Sequence, residues 1–508
     1  MIKSRVTPQD TSNFCSRFPE LMHKQLGRTG LTVSASGFGS YRVDYRVHEH
    51  SEAMEYALLK GINLIDTSSN YSDGGSEILI GNVIKKLIDE GKIKREEVVI
   101  VTKGGYIQGK NYNTAQMKKD EGSPYKEVVE YSKGLWHSIH PEFLKDQITD
   151  SLDRMKIEAI DVYLLHNPEY FLDSPRAKDF SIDELRNEYY RRLKRAFEYL
   201  ENEAGEGRIG CYGISSNSFV KESNDLTFTS LELCLKAAEE IRSNHHFYVI
   251  QFPLNLYERG AILNKNQLSG AQTIIEFAGN NNFGILVNRP LNAITENGLS
   301  RLSDFETTNE YTRLDEVQIT AEINLLESME DDFIKEELDK LNLNEQNTEA
   351  VNFFLKAGQL FKENWKNFGS IESFNDVKKQ YLIPRVNYAF SVMVVSKNIT
   401  EEIKTKLDKI ARQINKLISI FESIYGLEAN LRANELHLKL NKLMSQNEID
   451  RFKELRLSQK AILMINSIEE VSSTLIGMRQ KKYVDDVIGC LEAQKVEDAA
   501  GIFKKLEI

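Results

Sequence analysis

The chain reads as an α/β protein: a (β/α)8 TIM barrel with an N-terminal β-hairpin and an all-α insertion between strands seven and eight. Three observations predict this. Eight short, apolar, β-rich runs recur along the 508 residues, helix-period segments separate them, and no G-x-G-x-x-G turn follows the first run. Continuous apolar strands separated by helices describe a parallel sheet covered on both faces. Eight such units fit a closed barrel better than an open doubly wound sheet.

The strand candidates run 32–39, 63–67, 97–102, 161–165, 210–215, 247–253, 284–288 and 472–476. Helical patterns cover 51–60, 76–89, 142–156, 184–203 and 229–242. Gly37-Phe38-Gly39 is too short for a Rossmann phosphate turn. Leu26 to Val33 carries the turn residues of a small hairpin ahead of strand one.

Between strands seven and eight lies a long segment, roughly Ile294 to Leu457, rich in Lys, Glu, Asn and Leu. Ile403, Leu407, Ile410, Ile414, Leu417, Phe421 and Ile424 alternate spacings of four and three, a seam of about three heptads. Such a stripe must be covered. An amphipathic helix packed inside its own chain is expected; self-association through the seam is the alternative.

Composition narrows the function class. The chain is 41% hydrophobic and 28% charged with a formal net charge of −11, which gives no reason to expect nucleic acid or an anionic membrane as partner. Four scattered cysteines (Cys15, Cys211, Cys234, Cys490) lack CxxC spacing and point to a reducing, cytoplasmic location. No apolar run reaches the roughly 18 residues that span a bilayer, and no H-x-H pair of metal ligands ends a strand. A metal-dependent hydrolase and a metal site are therefore not expected.

Chemistry gathers at the strand tips. Asp66 ends strand two, Lys103 ends strand three, His166 ends strand four, and Tyr71 lies in the loop after strand two. A barrel's active site sits at the C-terminal ends of its strands, so these four residues converge on one face. Reducing a carbonyl leaves negative charge on oxygen, and a proton must be supplied. A free tyrosine, with a pKa of ~10, is a weak acid for that task. A nearby lysine cation is expected to lower it, with Asp66 holding Lys103 charged and His166 orienting the carbonyl oxygen. Taken singly, a strand-end aspartate is a cap and a lone histidine a structural residue.

The contexts I-D-T-S-x-x-Y, V-T-K-G and Y-L-L-H-N-P, in this order, resemble the aldo-keto reductase family. The resemblance covers residues 24–293 and 458–492; 294–457 is then a helical insertion, 1–23 an N-terminal extension and 493–508 a C-terminal helical tail. It implies Tyr71 as acid/base, Lys103 and Asp66 as its tuning pair, and His166 as the substrate-orienting group. Gly207 to Asn217 is similar to the family's G-K-I-R-x-I-G-V-S-N signature, which implies Ser216, Asn217 and Gln251 on the nicotinamide carboxamide. Ser472 to Arg479 is similar to the strand-eight motif, which implies Gly477 and Arg479 at the adenosine phosphate. Arg479, helped by Lys481 or Lys482, favours NADP(H) over NAD(H). Two departures stand out. Val287-Asn288-Arg289-Pro290-Leu291 has no aromatic residue to stack on the nicotinamide, while Arg289 offers charge to the pyrophosphate. Asp486-Val487 stands where Glu-Asn is common at the adenine end.

The expected function is an NAD(P)H-dependent oxidoreductase that interconverts a carbonyl (aldehyde, ketone or sugar) and an alcohol. The alternative is a non-catalytic or weakly catalytic nicotinamide-binding regulatory protein that uses the helical insertion; the resembled family includes potassium-channel β-subunits, which pair a nicotinamide-binding barrel with a regulatory role. The loop after Lys103, running to about Trp136, carries Tyr106, Tyr112, Tyr125, Trp136 and His137, either as a pocket wall or as packing onto the barrel.

Overall fold

The computed structural model describes residues 2–295, 298–302 and 314–507. Contacts divide it into two compact units, Met1–Leu291 with Leu443–Ile508, and Asn292–Lys442.

The first unit is built on eight parallel strands: β1 (Ser36–Gly39), β2 (Leu64–Asp66), β3 (Val99–Gly104), β4 (Ile160–His166), β5 (Ile209–Ser215), β6 (Phe247–Pro253), β7 (Gly284–Asn288) and β8 (Val471–Gly477). They hydrogen-bond in a closed ring in which β4 pairs with β5 and β8 pairs with β1. Between them run α1 (His48–Leu59), α2 (Gly75–Asp89), α3 (Pro141–Met155), α4 (Ile182–Gly205), α5 (Leu231–Ile241) and α6 (Ile274–Asn280). This is the (β/α)8 barrel the run count predicts.

Side chains alternate across a strand, and that alternation decides what fills the barrel. Leu64, Val99, Val101, Val162, Leu164, Cys211, Val249, Leu286 and Leu475 share one buried interior cluster. Leu26, Leu31 and Val33 join it from the N-terminal hairpin, in which His23–Gln25 pairs antiparallel with Thr32–Ser34. The hairpin closes the barrel floor.

The run 32–39, expected as one strand, is two. Thr32–Ser34 belongs to the hairpin, and β1 starts at Ser36. The Ser34 hydroxyl donates to the Ser36 carbonyl at 2.8 Å across Ala35, turning the chain from an antiparallel to a parallel partner. The loop after β3 is also more ordered than a loop. It holds a helix (Gly109–Asp120) and a three-stranded antiparallel sheet of Tyr106–Ile107, Val129–Ser132 and Leu135–His137. Ile107, Ala115 and Trp136 pack on Phe143 of α3, with Tyr112 and Tyr125 against them. All four cysteines are buried free thiols. No helix among the described residues is long and apolar enough to cross a membrane.

The second unit begins with a hairpin, Asn292–Thr295 paired antiparallel with Gly298–Arg301, where helix was expected. Only two residues separate Asn292–Thr295 from Gly298–Arg301, a spacing that favours a tight hairpin over the helical character of the remaining insertion. Residues 303–313 of the expected insertion, like the first residue of the extension and the last of the tail, lie outside the described residues. The rest is helical: α7 (Glu316–Glu336), α8 (Glu345–Phe354), α9 (Ala357–Asn364), α10 (Ile371–Val377), α11 (Ile383–Val394) and α12 (Glu401–Leu443). Helices α13 (Leu457–Asn466) and α14 (Lys481–Glu492) belong to the first unit and flank β8.

The heptad seam lies on α12. Its first six residues are buried in one core with Leu326 of α7, Val351 of α8, Phe361 of α9, Phe374 of α10 and Met393 of α11, while Ile424 is partly buried against it. Phe421 sits at its centre, with ring centroids 5.2 Å from Phe361 and 5.8 Å from Phe374. The stripe is therefore covered by helices of its own unit. Ile414→Asp would bury a carboxylate in that core and leave an apolar gap. The expected outcome is a loss of about 3 kcal/mol or more in this unit's stability at unchanged mass. Melting and sedimentation check it; conversion of a dimer to a folded monomer would show instead that the seam pairs two chains.

Candidate active site

The same alternation that fills the barrel builds its mouth. Asp66 follows Leu64 by two residues, Lys103 follows Val101, His166 follows Leu164, Gln251 follows Val249, Asn288 follows Leu286, and Ser215 lies four past Cys211. Each continues the inward-facing series past the apolar core. The barrel top is thus a ring of polar groups on a hydrophobic plug.

At its centre is a buried ion pair. Lys103 Nζ donates to Asp66 Oδ2 at 2.7 Å and to the Thr67 carbonyl at 2.8 Å. The other Asp66 oxygen accepts from Gln251 Nε2 at 2.9 Å. Gln251 Oε1 in turn accepts from Ser215 Oγ at 2.8 Å and from Asn288 Nδ2 at 3.3 Å. Burial pushes the Asp66 carboxyl up and the Lys103 ammonium down, and their mutual attraction opposes both shifts.

Tyr71 starts a tight turn, Tyr71–Gly74, that leads into α2. Ser72 and Asp73 hold left-handed φ values of 51° and 54°, and Gly74 follows at 87°. For non-glycine residues that conformation is costly and persists only where the surroundings impose it. Here the Ser72 hydroxyl donates to the Val43 carbonyl at 2.7 Å, and Asp73 Oδ1 accepts from the Lys110 amide at 3.0 Å. Behind the turn, Glu77 of α2 accepts from Thr102 of β3 and from Arg154 of α3, both at 2.6 Å. Glu77 thereby locks the Tyr71 segment to the strand that carries Lys103.

The result brings Tyr71, Lys103, Asp66 and His166 together. Lys103 Nζ lies 5.1 Å from the Tyr71 ring centroid, and the Tyr71 and His166 rings meet edge to face at 6.1 Å. Tyr41 packs on the other edge of Tyr71 at 5.2 Å. The expected depression of the Tyr71 pKa is not found. Burial, then the Asp66 carboxylate, hold the phenol well above its ordinary value. Burial of the phenol is the larger cause, and the Asp66 carboxylate beside it adds to the rise. His166 is held well below its ordinary value by burial and by repulsion from Lys103, so it is a neutral imidazole. Its carbonyl accepts from His137, and its ring meets Tyr106 edge-on at 4.7 Å. Of the aromatic residues in the loop after β3, Tyr106 and His137 face the site, whereas Tyr112, Tyr125 and Trp136 pack the loop.

The nicotinamide-side candidates divide. Ser216 Oγ is buried against Ser218 Oγ at 2.9 Å. The Asn217 amide donates to Glu169 at 2.9 Å. Gln251 has both ends of its side-chain amide committed to the Asp66 network, and Ser215 rather than Ser216 reaches it. Sequence reading passed over Ser215 because Ser216-Asn217 spells the more familiar pair; the inward alternation of β5 was the signal that could have found it. Asn288 Oδ1 is buried without a partner in the described structure. Arg289, at φ 52°, pairs with Glu258 at 2.5 Å through one guanidinium nitrogen, while its buried Nε has no partner in the described structure.

At the adenosine end the donor set fits a phosphate. No side chain caps the first turn of α14, although its Tyr483 amide bonds back to the Gln480 carbonyl at 3.0 Å. Gly477 leaves open space where a Cβ would stand. Arg479 is half-buried in the turn between β8 and α14, with Lys481 opening the helix. Asp486 lies 3.6 Å from Arg456.

Glu169, which sequence reading also missed, is a buried carboxyl just past β4. One of its oxygens, Oε2, has no hydrogen-bond partner in the described structure, and burial raises its pKa to about 7. Between the usual 4.5 and about 7 the folded chain keeps a proton there that the unfolded chain has lost. Glu169's contribution to stability is thus full below pH 4.5 and falls as pH rises towards 7. Urea unfolding of wild type and Glu169→Gln should diverge over this window, with wild type losing about 3 kcal/mol relative to the variant. Parallel pH profiles would show that Glu169 titrates normally.

A sequence model of the Aldo/keto reductase family matches residues 37–508. The chain is 30% identical over 175 residues to the NADH-specific methylglyoxal reductase of Escherichia coli (strain K12), a span covering 32% of this chain and 48% of that protein. It is 29% identical over 155 residues to a 6-dehydroglucose reductase of Novosphingobium aromaticivorans, covering 29% of this chain and 41% of that one. The chain spans about half the length of the curated relatives it matches. Among solved structures, an aldo-keto reductase from Bacillus halodurans in its holo form aligns over 96% of this chain and 97% of its own, at 15% identity and a TM-score of 0.46. With the family match running over nearly the whole sequence, the chain belongs to the aldo/keto reductase family.

Proposed function

We propose that the protein is an NAD(P)H-dependent oxidoreductase that interconverts a carbonyl and an alcohol, with Tyr71 as the acid/base. One observation carries this reading: Tyr71 stands at the barrel mouth between the buried Lys103–Asp66 pair and the neutral His166.

A bound reduced nicotinamide supplies the hydride to the carbonyl carbon. Tyr71 supplies the proton to the carbonyl oxygen. Its raised pKa keeps the phenol protonated while it waits, and an alkoxide forming on the substrate is a stronger base than the phenolate left behind. Lys103, over the ring face, stabilises that phenolate, and Asp66 holds Lys103 in place. His166 hydrogen-bonds the carbonyl oxygen and fixes its orientation. Tyr106, buried edge-on against the His166 ring, shields that side of the site from water. Ser216, Asn217 and Gln251 are the candidates for the carboxamide, with Gln251 first releasing a contact to its neighbours. Gly477, Arg479 and the N-terminus of α14 take the adenosine phosphate, and Asp486 lies on the adenine side. Arg479 favours NADP(H) over NAD(H).

Tyr71→Phe is expected to lower kcat for carbonyl reduction by at least 10²–10⁴-fold, with nucleotide affinity, read by fluorescence titration, nearly unchanged. Turnover of an aldehyde and sugar panel near the wild-type rate would remove Tyr71 from the mechanism. Arg479→Ala is expected to weaken NADPH about tenfold to a hundredfold, the value of one charge-assisted contact to phosphate, and NADH little. Equal losses for the two nucleotides would show that Arg479 does not read the 2′-phosphate.

A further inference from the structure

Behind His166 lies a polar chain that the catalytic reading does not use. Ser68 Oγ is buried 3.0 Å from His166 Nδ1 and 2.7 Å from the side-chain amide oxygen of Asn70. The other end of that amide, Asn70 Nδ2, lies 3.1 Å from Gln108 Oε1. Ser68 Oγ is also 3.3 Å from the Lys103 carbonyl, a longer contact than either of the other two, and that carbonyl accepts from the Ser69 amide as well, at 3.1 Å.

A hydroxyl has one proton and a neutral imidazole has one N–H, so the chain runs in one of two directions. If Asn70 turns its oxygen to Ser68, the Ser68 proton goes to Asn70. His166 must then donate from Nδ1, and Nε2 is left bare. If both amides rotate by half a turn, which hardly changes their shape, Asn70 donates to Ser68 and Ser68 donates to Nδ1. Nε2 then carries the proton. Every bond of the chain survives either way. Only the second setting lets Nε2 donate to a carbonyl oxygen; the first suits a hydroxyl.

We propose that Ser68 is a positioning residue that relays the orientation of the Asn70–Gln108 amide pair to the tautomer of His166, and so decides whether the site offers a donor or an acceptor to the substrate oxygen. The inference rests on the reading of His166 as the group that meets that oxygen. Asn70 and Ser68 lie in the same short loop as Tyr71, so the proton donor and the orienting group share one support.

The test reads the His166 ring nitrogens by ¹⁵N NMR of histidine-labelled full-length protein. Asn70→Asp leaves only acceptors beside Ser68, so His166 should adopt the Nδ1–H form. Ser68→Ala cuts the chain, so His166 should take the Nε2–H form that an unconstrained imidazole prefers. The double variant should match Ser68→Ala, and Ser68→Thr, which keeps the hydroxyl, should restore the response to Asn70→Asp; that restoration separates the relay from damage to the fold. Identical tautomers in the two single variants would overturn the proposal. So would a double variant that follows Asn70→Asp, which would assign the effect to charge acting through space. The measurement needs no turnover, so its failure would leave the Tyr71 reading standing.

Discussion

The barrel mouth depends on keeping one ammonium and one carboxylate out of water. An isolated charge at that depth costs far more than a domain's net stability, so Lys103 and Asp66 are tenable only as a hydrogen-bonded pair with their remaining polar sites occupied. The groups that occupy them, and those that hold Gln251 in turn, come from different parts of the ring. Thr67 extends β2, Ser215 ends β5, Gln251 lies in β6, and Asn288 ends β7. No strand could supply them alone. The pair is compensated only in the closed barrel, which ties the chemistry at the top to the topology underneath.

That dependence explains which parts were legible in the sequence. Strand tips are readable because a polar residue ending an apolar run has one physical reading: the inward series continues past the edge of the core. Asp66, Lys103, His166 and Gln251 all follow that rule, and so does Ser215, which lost out to a more recognisable neighbour. The electrostatics of Tyr71 were not legible, because spacing gives proximity to Lys103 but neither the burial of the phenol nor its nearness to the Asp66 carboxylate. Ser68, Asn70 and Gln108 were invisible for a similar reason. They belong to two loops, and only the folded turn brings them to the back of His166.

The eight strands were legible because each is short, apolar and bounded, whereas the break at Ala35 was hidden inside a continuous run. A serine hydroxyl makes that bend, and apolar periodicity does not register it. The second unit shows the reverse. Its heptad seam was readable as a stripe, while the hairpin at its start was masked by the helical composition of the rest of the insertion.

The place of that unit in the chain has a consequence for how the protein is made. Strand β8 is the last of the ring, and roughly 180 residues separate it from β7, its neighbour in the sheet. On a ribosome the first seven strands emerge long before the eighth, with two unpaired edges that invite wrong partners. Closing so long a loop as an unstructured coil carries an entropic cost that grows with its length. A helical unit that folds on its own during that interval would shorten the effective loop to its two ends. The insertion's core is drawn from its own helices, which is what makes that shortening open to it.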